Sequence, residues 1–97
     1  MASETLAKRF YVSGTVQGVG FRFFAERVAA RLNVSGYVRN RADGRVEVYA
    51  IGSPARLDAL RSELEHGPRT ARVVRVDAEE AESIPAYENG FTIERGE

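Results

Sequence analysis

Residues 8–32 read KRFYVSGTVQGVGFRFFAERVAARL, and the spacing of their apolar side chains changes partway along. In the first part, Phe10, Val12 and Gly14 fall on one face of an extended chain, and Arg9, Tyr11 and Ser13 on the other. That alternation, rich in β-branched and aromatic residues, predicts a strand from Lys8 to Val16. From Phe21 the spacing is helical: Phe21, Phe24, Ala25, Val28, Ala29 and Leu32 share one face, while Glu26, Arg27 and Arg31 lie off it. The helix is expected to end near Asn33. Gly14, Gly18 and Gly20 crowd the short turn that joins the two elements.

Downstream the same alternation continues. Tyr37 to Arg41 reads as a second strand and Arg45 to Ile51 as a third, joined by the turn Ala42-Asp43-Gly44. Ser53 is placed to cap a second helix with Pro54 at its first position, and Leu57, Leu60 and Leu64 form its apolar stripe. His66-Gly67-Pro68 closes it, with His66 expected in a capping or charge-complementing role. Ala71 to Ala78 reads as a fourth strand, with Val74 and Val76 on one face. An acidic loop with Glu79, Glu80, Glu82 and Ile84-Pro85 follows, then a short strand from Phe91 to Arg95. Residues 1–6 are expected to be frayed. The order strand, helix, strand, strand, helix, strand, with a short fifth strand, predicts an α+β ferredoxin-like βαββαβ sandwich. Two helices then cover one face of a mostly antiparallel sheet.

Composition bounds the function. A chain of 97 residues suits one domain spanning 1–97. Fourteen basic side chains balance fourteen acidic ones, unlike a protein whose main task is to coat nucleic acid. Thirteen of the fourteen basic residues are Arg, which favours forked recognition of carboxylate and phosphate. Without cysteine the chain has no disulfide, thiol nucleophile or thiolate metal site. No secretory signal and no membrane-length apolar run is evident, so a cytoplasmic location without membrane association is expected.

Two segments carry chemistry. In Gly14-Thr15-Val16-Gln17-Gly18-Val19-Gly20-Phe21-Arg22, a glycine-rich turn leads into a helix. Such a turn lets backbone N–H groups approach an anion, and the helix start adds free donors and the positive end of its dipole. No Ser, Thr, Asp or Asn directly precedes Phe21 to cap those donors. Arg22 is a cation in the first turn, where the dipole disfavours one unless an anion is bound. The plainer alternative is a tight turn with a solvated Arg22. The segment is neither a Walker A motif, lacking Lys and Ser/Thr at its end, nor the dinucleotide fingerprint, since Phe23 occupies the third glycine position. The second segment is Gly36-Tyr37-Val38-Arg39-Asn40-Arg41-Ala42-Asp43-Gly44-Arg45-Val46. Taken alone, its Asn40 reads as a residue of the strand end and turn. Phe23 and Phe24 read as packing residues, at least in part, and Tyr11 and Tyr49 either as residues of the open sheet face or, equally, as core or surface residues.

In order and separation, Val16-Gln17-Gly18-Val19-Gly20-Phe21-Arg22 and Gly36 to Val46 together resemble the two signature segments of the acylphosphatase family. The resemblance extends from the first strand to Phe91-Thr92-Ile93. It implies a ferredoxin-like enzyme that hydrolyses acyl phosphates to a carboxylate and inorganic phosphate, acting on a small molecule as a monomer, with no metal or other cofactor. By this match Arg22 binds the phosphate, Asn40 positions the water, and the amides of Gln17, Gly18, Val19, Gly20 and Phe21 hold the phosphate. Where many relatives have a hydroxyl residue after the asparagine, this chain has Arg41. Three other readings use the same architecture. One binds single-stranded RNA on the open sheet face, but the RNP1 pattern is missing and the net charge is zero. Another senses a small anion without turnover. The third is an acylphosphatase-like module of a larger carbamoyl-transfer protein, with no partner domain expected in a sequence ending at Glu97.

Overall fold

A computed structural model describes residues 4–96. Along the chain run β1 (Leu6–Thr15), α1 (Phe21–Leu32), β2 (Ser35–Asn40), β3 (Val46–Gly52), α2 (Pro54–His66), β4 (Arg72–Ala81), a 3-10 turn (Pro85–Tyr87) and β5 (Phe91–Ile93). The strands form one sheet in the order β4-β1-β3-β2-β5. Only β2 and β5 pair in parallel; the other neighbours are antiparallel. This is the ferredoxin-like arrangement with one added edge strand.

Both helices form where local signals place them. Ser53 accepts a hydrogen bond from the Arg56 N–H, Pro54 opens α2, and Gly67 closes it. Leu57, Leu60 and Leu64 are buried, each worth about 1.5–3 kcal/mol of apolar transfer. α1 ends at Asn33, a non-glycine residue in the left-handed region at φ 57°, where its N–H bonds back to the last helical turn. Phe21, Ala25, Val28 and Ala29 of α1 meet the α2 leucines over Phe10, Val12, Val38, Val46 and Val48 of the sheet.

The opposite face of the sheet is only partly open. Tyr49 is fully buried there and Tyr37 nearly so, packed with Ala7 and Ile51 under Ala81, Ile84 and Tyr87. The Tyr49 hydroxyl donates to the Glu82 carbonyl (2.6 Å) and accepts from the Ile84 N–H (2.8 Å), fixing the segment that crosses it.

Besides shifts of a residue or two at the ends of β2, β3 and β5, three expectations change. β1 begins at Leu6, which pairs with Gly52, so only Glu4 and Thr5 of the expected frayed start are seen outside the strand; residues 1–3 lie outside the described residues. β4 runs on to Ala81, so Glu79 and Glu80 are strand residues opposite Arg9 and Lys8 rather than loop residues. Opposite charges across a pair of strands favour this extension. Finally, Val74 does not share the inner face with Val76. The β1–β4 register shifts at Ser13/Gly14, a bulge that breaks the alternation and leaves Val74 73% exposed, while Val73 packs on the core. Accordingly, Leu60→Ala should cost about 2–5 kcal/mol in urea unfolding, and Val74→Thr less than about 0.5 kcal/mol.

Candidate active site

Between β1 and α1, residues 16–20 cross the end of the sheet and hand over to the helix at Gly20. Gly18 and Gly20 stand at φ 74° and 79°, in the left-handed region that costs other residues about 1–2 kcal/mol. A Cβ added to either would meet nothing within 4 Å, so the space beyond these peptides is open to a ligand. No side chain caps α1, and its first turn holds no acidic residue. The first N–H groups of a helix have no partner inside it, and here no side chain takes them up.

The loop is held from both sides. The Thr70 hydroxyl, in the turn before β4, donates to the Val19 carbonyl (2.6 Å). The Gln17 side-chain amide donates to two carbonyls of the β2–β3 hairpin, Arg41 at 2.8 Å and Arg45 at 2.9 Å.

A cavity of about 70 Å³ opens beside the helix start, lined by Val16, Gly18, Gly20, Phe21, Arg22, Phe23 and Asn40. Arg22 and Asn40, eighteen positions apart in the sequence, therefore meet at one site. Gln17 and Val19 do not line it; the Gln17 side chain is turned to the hairpin. Arg22 is half-buried, and among the described residues no carboxylate pairs with its guanidinium. The Asn40 Oδ1 is buried and receives no hydrogen bond from the described residues. Leaving such an acceptor unpaired costs about 1–3 kcal/mol, which a ligand or water can recover. A separate open groove between α1 and β5, lined by Glu26, Arg27 and Phe91 among others, contains none of the candidate site residues.

β2 presents Val38 and Asn40 to the helix side and Tyr37, Arg39 and Arg41 to the other. Arg41, which follows Asn40, therefore points away from the cavity. It bonds Glu47 at 2.6 Å and Asp43 at 3.3 Å. Glu47 is 2% exposed and also receives Arg39 at 3.2 Å, Arg9 at 3.8 Å and the Tyr37 hydroxyl. Burial works to raise the Glu47 pKa, but hydrogen bonds from Tyr37, Arg41 and Arg39 outweigh it and hold the carboxyl below its ordinary 4.5. Burial, then the bond to Glu47, pushes the Tyr37 phenol above its ordinary 10. At the turn, hydrogen bonds from the Arg45 side chain and backbone hold Asp43 far below the usual carboxylate range.

Sequence reading assigns no site role to three residues at or near the cavity. Phe23, expected to pack at least in part, is 61% exposed at the cavity mouth, while Phe24 packs edge-on against Phe21. Helical spacing separates these two but does not say what the end of the helix faces. Thr70 bore no local signal. Glu47 had one, a lone acid in an apolar strand, which gains its meaning only from the Arg39 paired across from it. His66 sits at the end of α2, its ring against the Ser62 carbonyl (2.8 Å) and outside the cavity, as its capping role requires. Among the described residues no group of three or more His, Asp or Glu side chains could hold a metal ion, and no helix is long and apolar enough to cross a membrane.

Fold and cavity together describe a small α+β protein with a donor-rich site sized for a compact anion. A family model described as Acylphosphatase matches residues 8–93. The chain is 48% identical over 87 residues to an acylphosphatase of Solibacter usitatus, covering 90% of each chain. It is 49% identical over 84 residues to one from Archaeoglobus fulgidus, covering 87% of this chain and 93% of the other. The crystal structure of acylphosphatase from Bacillus subtilis superposes with a TM-score of 0.84 at 35% identity, covering 91% and 97% of the two chains. The chain belongs to the acylphosphatase family. Its activity is the hydrolysis of the carboxyl–phosphate bond of acyl phosphates to a carboxylate and inorganic phosphate.

The depressed Glu47 carboxyl contributes stability that is present above its ordinary value of 4.5 and is lost as pH falls through its lower folded value. Glu47→Gln should cost about 1–3 kcal/mol at pH 7, because the buried charged acceptor of several hydrogen bonds is lost. It should also lose less stability than the native chain between pH 6 and pH 3, read by urea unfolding at each pH.

Proposed function

We propose that Arg22, the first N–H groups of α1 and the loop amides from Gln17 to Phe21 bind the phosphoryl group, and that Asn40 aligns the attacking water. The observation that carries this reading is the buried, unpaired Oδ1 of Asn40 in the cavity shared by Arg22 and the uncapped helix start. The water oxygen attacks phosphorus. The bond from phosphorus to the acyl oxygen breaks, and the carboxylate leaves with the electron pair. The water proton ends on a phosphate oxygen.

Each group suits its task. The leaving acid has a pKa of about 4–5, so it departs without a general acid. Phosphoryl transfer depends mainly on position and charge stabilisation, which a forked guanidinium and fixed N–H groups supply. Asn40 does not titrate usefully. It accepts from a water through Oδ1, and as a neutral group it does not repel the phosphate dianion. No step here calls for a metal.

The cavity is far below the roughly 300 Å³ of pockets that enclose drug-sized ligands. It takes the phosphoryl head and leaves the acyl group at the mouth, beside the exposed ring of Phe23. This reading places a monomer in the cytoplasm acting on a small molecule. Nucleic acid has no place in it: net charge is zero, and Tyr37 and Tyr49 are buried where base stacking needs exposed rings.

An acyl-phosphate hydrolysis assay tests the assignment. Arg22→Ala and Asn40→Ala should each lower the rate by at least about a hundredfold, as loss of an oxyanion donor does. The native rate should survive a chelator, and an unchanged rate in Arg22→Ala would sink the mechanism. Phe23→Ala should raise KM for benzoyl phosphate roughly fivefold, the effect of about 1 kcal/mol of lost apolar contact. The KM for acetyl phosphate should change less than about twofold on the same scale.

A further inference from the structure

The side chain of Gln17 lies in the phosphate loop yet makes its hydrogen bonds elsewhere. Both go from Nε2, to the carbonyls of Arg41 and Arg45, across 24 and 28 residues of sequence. An amide NH₂ has two donors, so both are used and neither is left for a substrate oxygen. The two carbonyls it joins flank the hairpin. Arg41 directly follows Asn40, and its own N–H bonds the Arg45 carbonyl at 2.8 Å. The Gln17 amide is thus a side-chain link between the loop that carries the helix start and the strand end that carries Asn40.

We propose that Gln17 is a positioning residue for the hydrolytic step, setting the distance between the bound phosphorus and the water held by Asn40. This rests on the role given to Asn40 above. The physical reason is tolerance: attack requires the reacting atoms within about 3–3.5 Å, and a displacement of about 1 Å costs on the order of a hundredfold. Loop and hairpin belong to distant parts of the chain. Behind the cavity lining, a half-buried amide bridges them with two bonds of 2.8 and 2.9 Å. Phosphate affinity has its own supports, the N–H groups of the helix start, Arg22 and the Thr70 bond to Val19. Losing the Gln17 link therefore acts on the chemical step and spares binding.

The test is a double-mutant cycle on the full chain with Gln17→Met, which keeps the length and removes both donors, and Asn40→Ala. Readouts are kcat and KM for acetyl phosphate, the inhibition constant of inorganic phosphate, and thermal unfolding. Gln17→Met should lower kcat at least about tenfold while KM and phosphate inhibition stay within about twofold. In the Asn40→Ala background the same substitution should change kcat less than about twofold, since the group it positions is gone. Gln17→Asn keeps the amide but is one methylene short, and should show the same split if the Met variant fails to fold. Equal losses in both backgrounds would overturn the proposal. So would a higher KM with unchanged kcat, which would make Gln17 a shaper of the phosphate loop alone. A normal kcat in Gln17→Met beside a slow Asn40→Ala removes this inference only. A normal kcat in Asn40→Ala removes the water-positioning reading and this one with it.

Discussion

The N–H groups that open α1 have no side-chain cap, and much of the site follows from that constraint. A helix start normally gains about 1 kcal/mol from a side-chain cap. Here Gly20 takes the cap position and supplies none. The loop's order therefore has to come from other elements. Thr70 pins Val19 from the α2–β4 turn, Gln17 ties the loop to the β2–β3 hairpin, and Phe21 plants the first turn in the core. The donors are thus held in place by the protein itself, which under the proposed mechanism leaves little to reorganise as charge develops.

The alternation of β2 divides labour between the faces of the sheet. Asn40 faces the cavity, while its neighbours Arg39 and Arg41 reach Glu47 on the far side. Burying that carboxylate is expensive, and the guanidiniums around it together with the Tyr37 hydroxyl offset the cost. The arrangement also accounts for Arg41, which stands where the family resemblance implies a hydroxyl residue. Its side chain leaves the cavity side altogether and anchors the strand end from behind through Glu47.

The far face of the sheet is covered by a few long-range contacts. Tyr37, Tyr49 and Tyr87 pack on one another, and the 82–87 segment is bonded to the Tyr49 hydroxyl. A sheet face free for stacking bases would need these rings exposed. Here they form a second small core, which helps fix β3 at the centre of the sheet.

Wherever the signal was local, the sequence alone determined the outcome. Ser53, Pro54, the leucines of α2 and Gly67 define that helix through contacts within a few residues. The same is true of the switch from strand to helix at Phe21 and the hairpin at Asp43-Gly44, whereas Asn40 stood out only through the chain's resemblance to a known family. Tertiary structure decided what depends on partners distant in the chain. The bulge opposite Gly14 reassigns Val73 and Val74, because register is a property of two strands together. The end of α1 exposes Phe23 at a cavity mouth that no helical wheel contains. Gln17 reads in sequence as part of a phosphate loop, and its side chain is committed to two hairpin carbonyls instead. Backbone carbonyls are alike at every residue, so nothing in the order of side chains could have named those two.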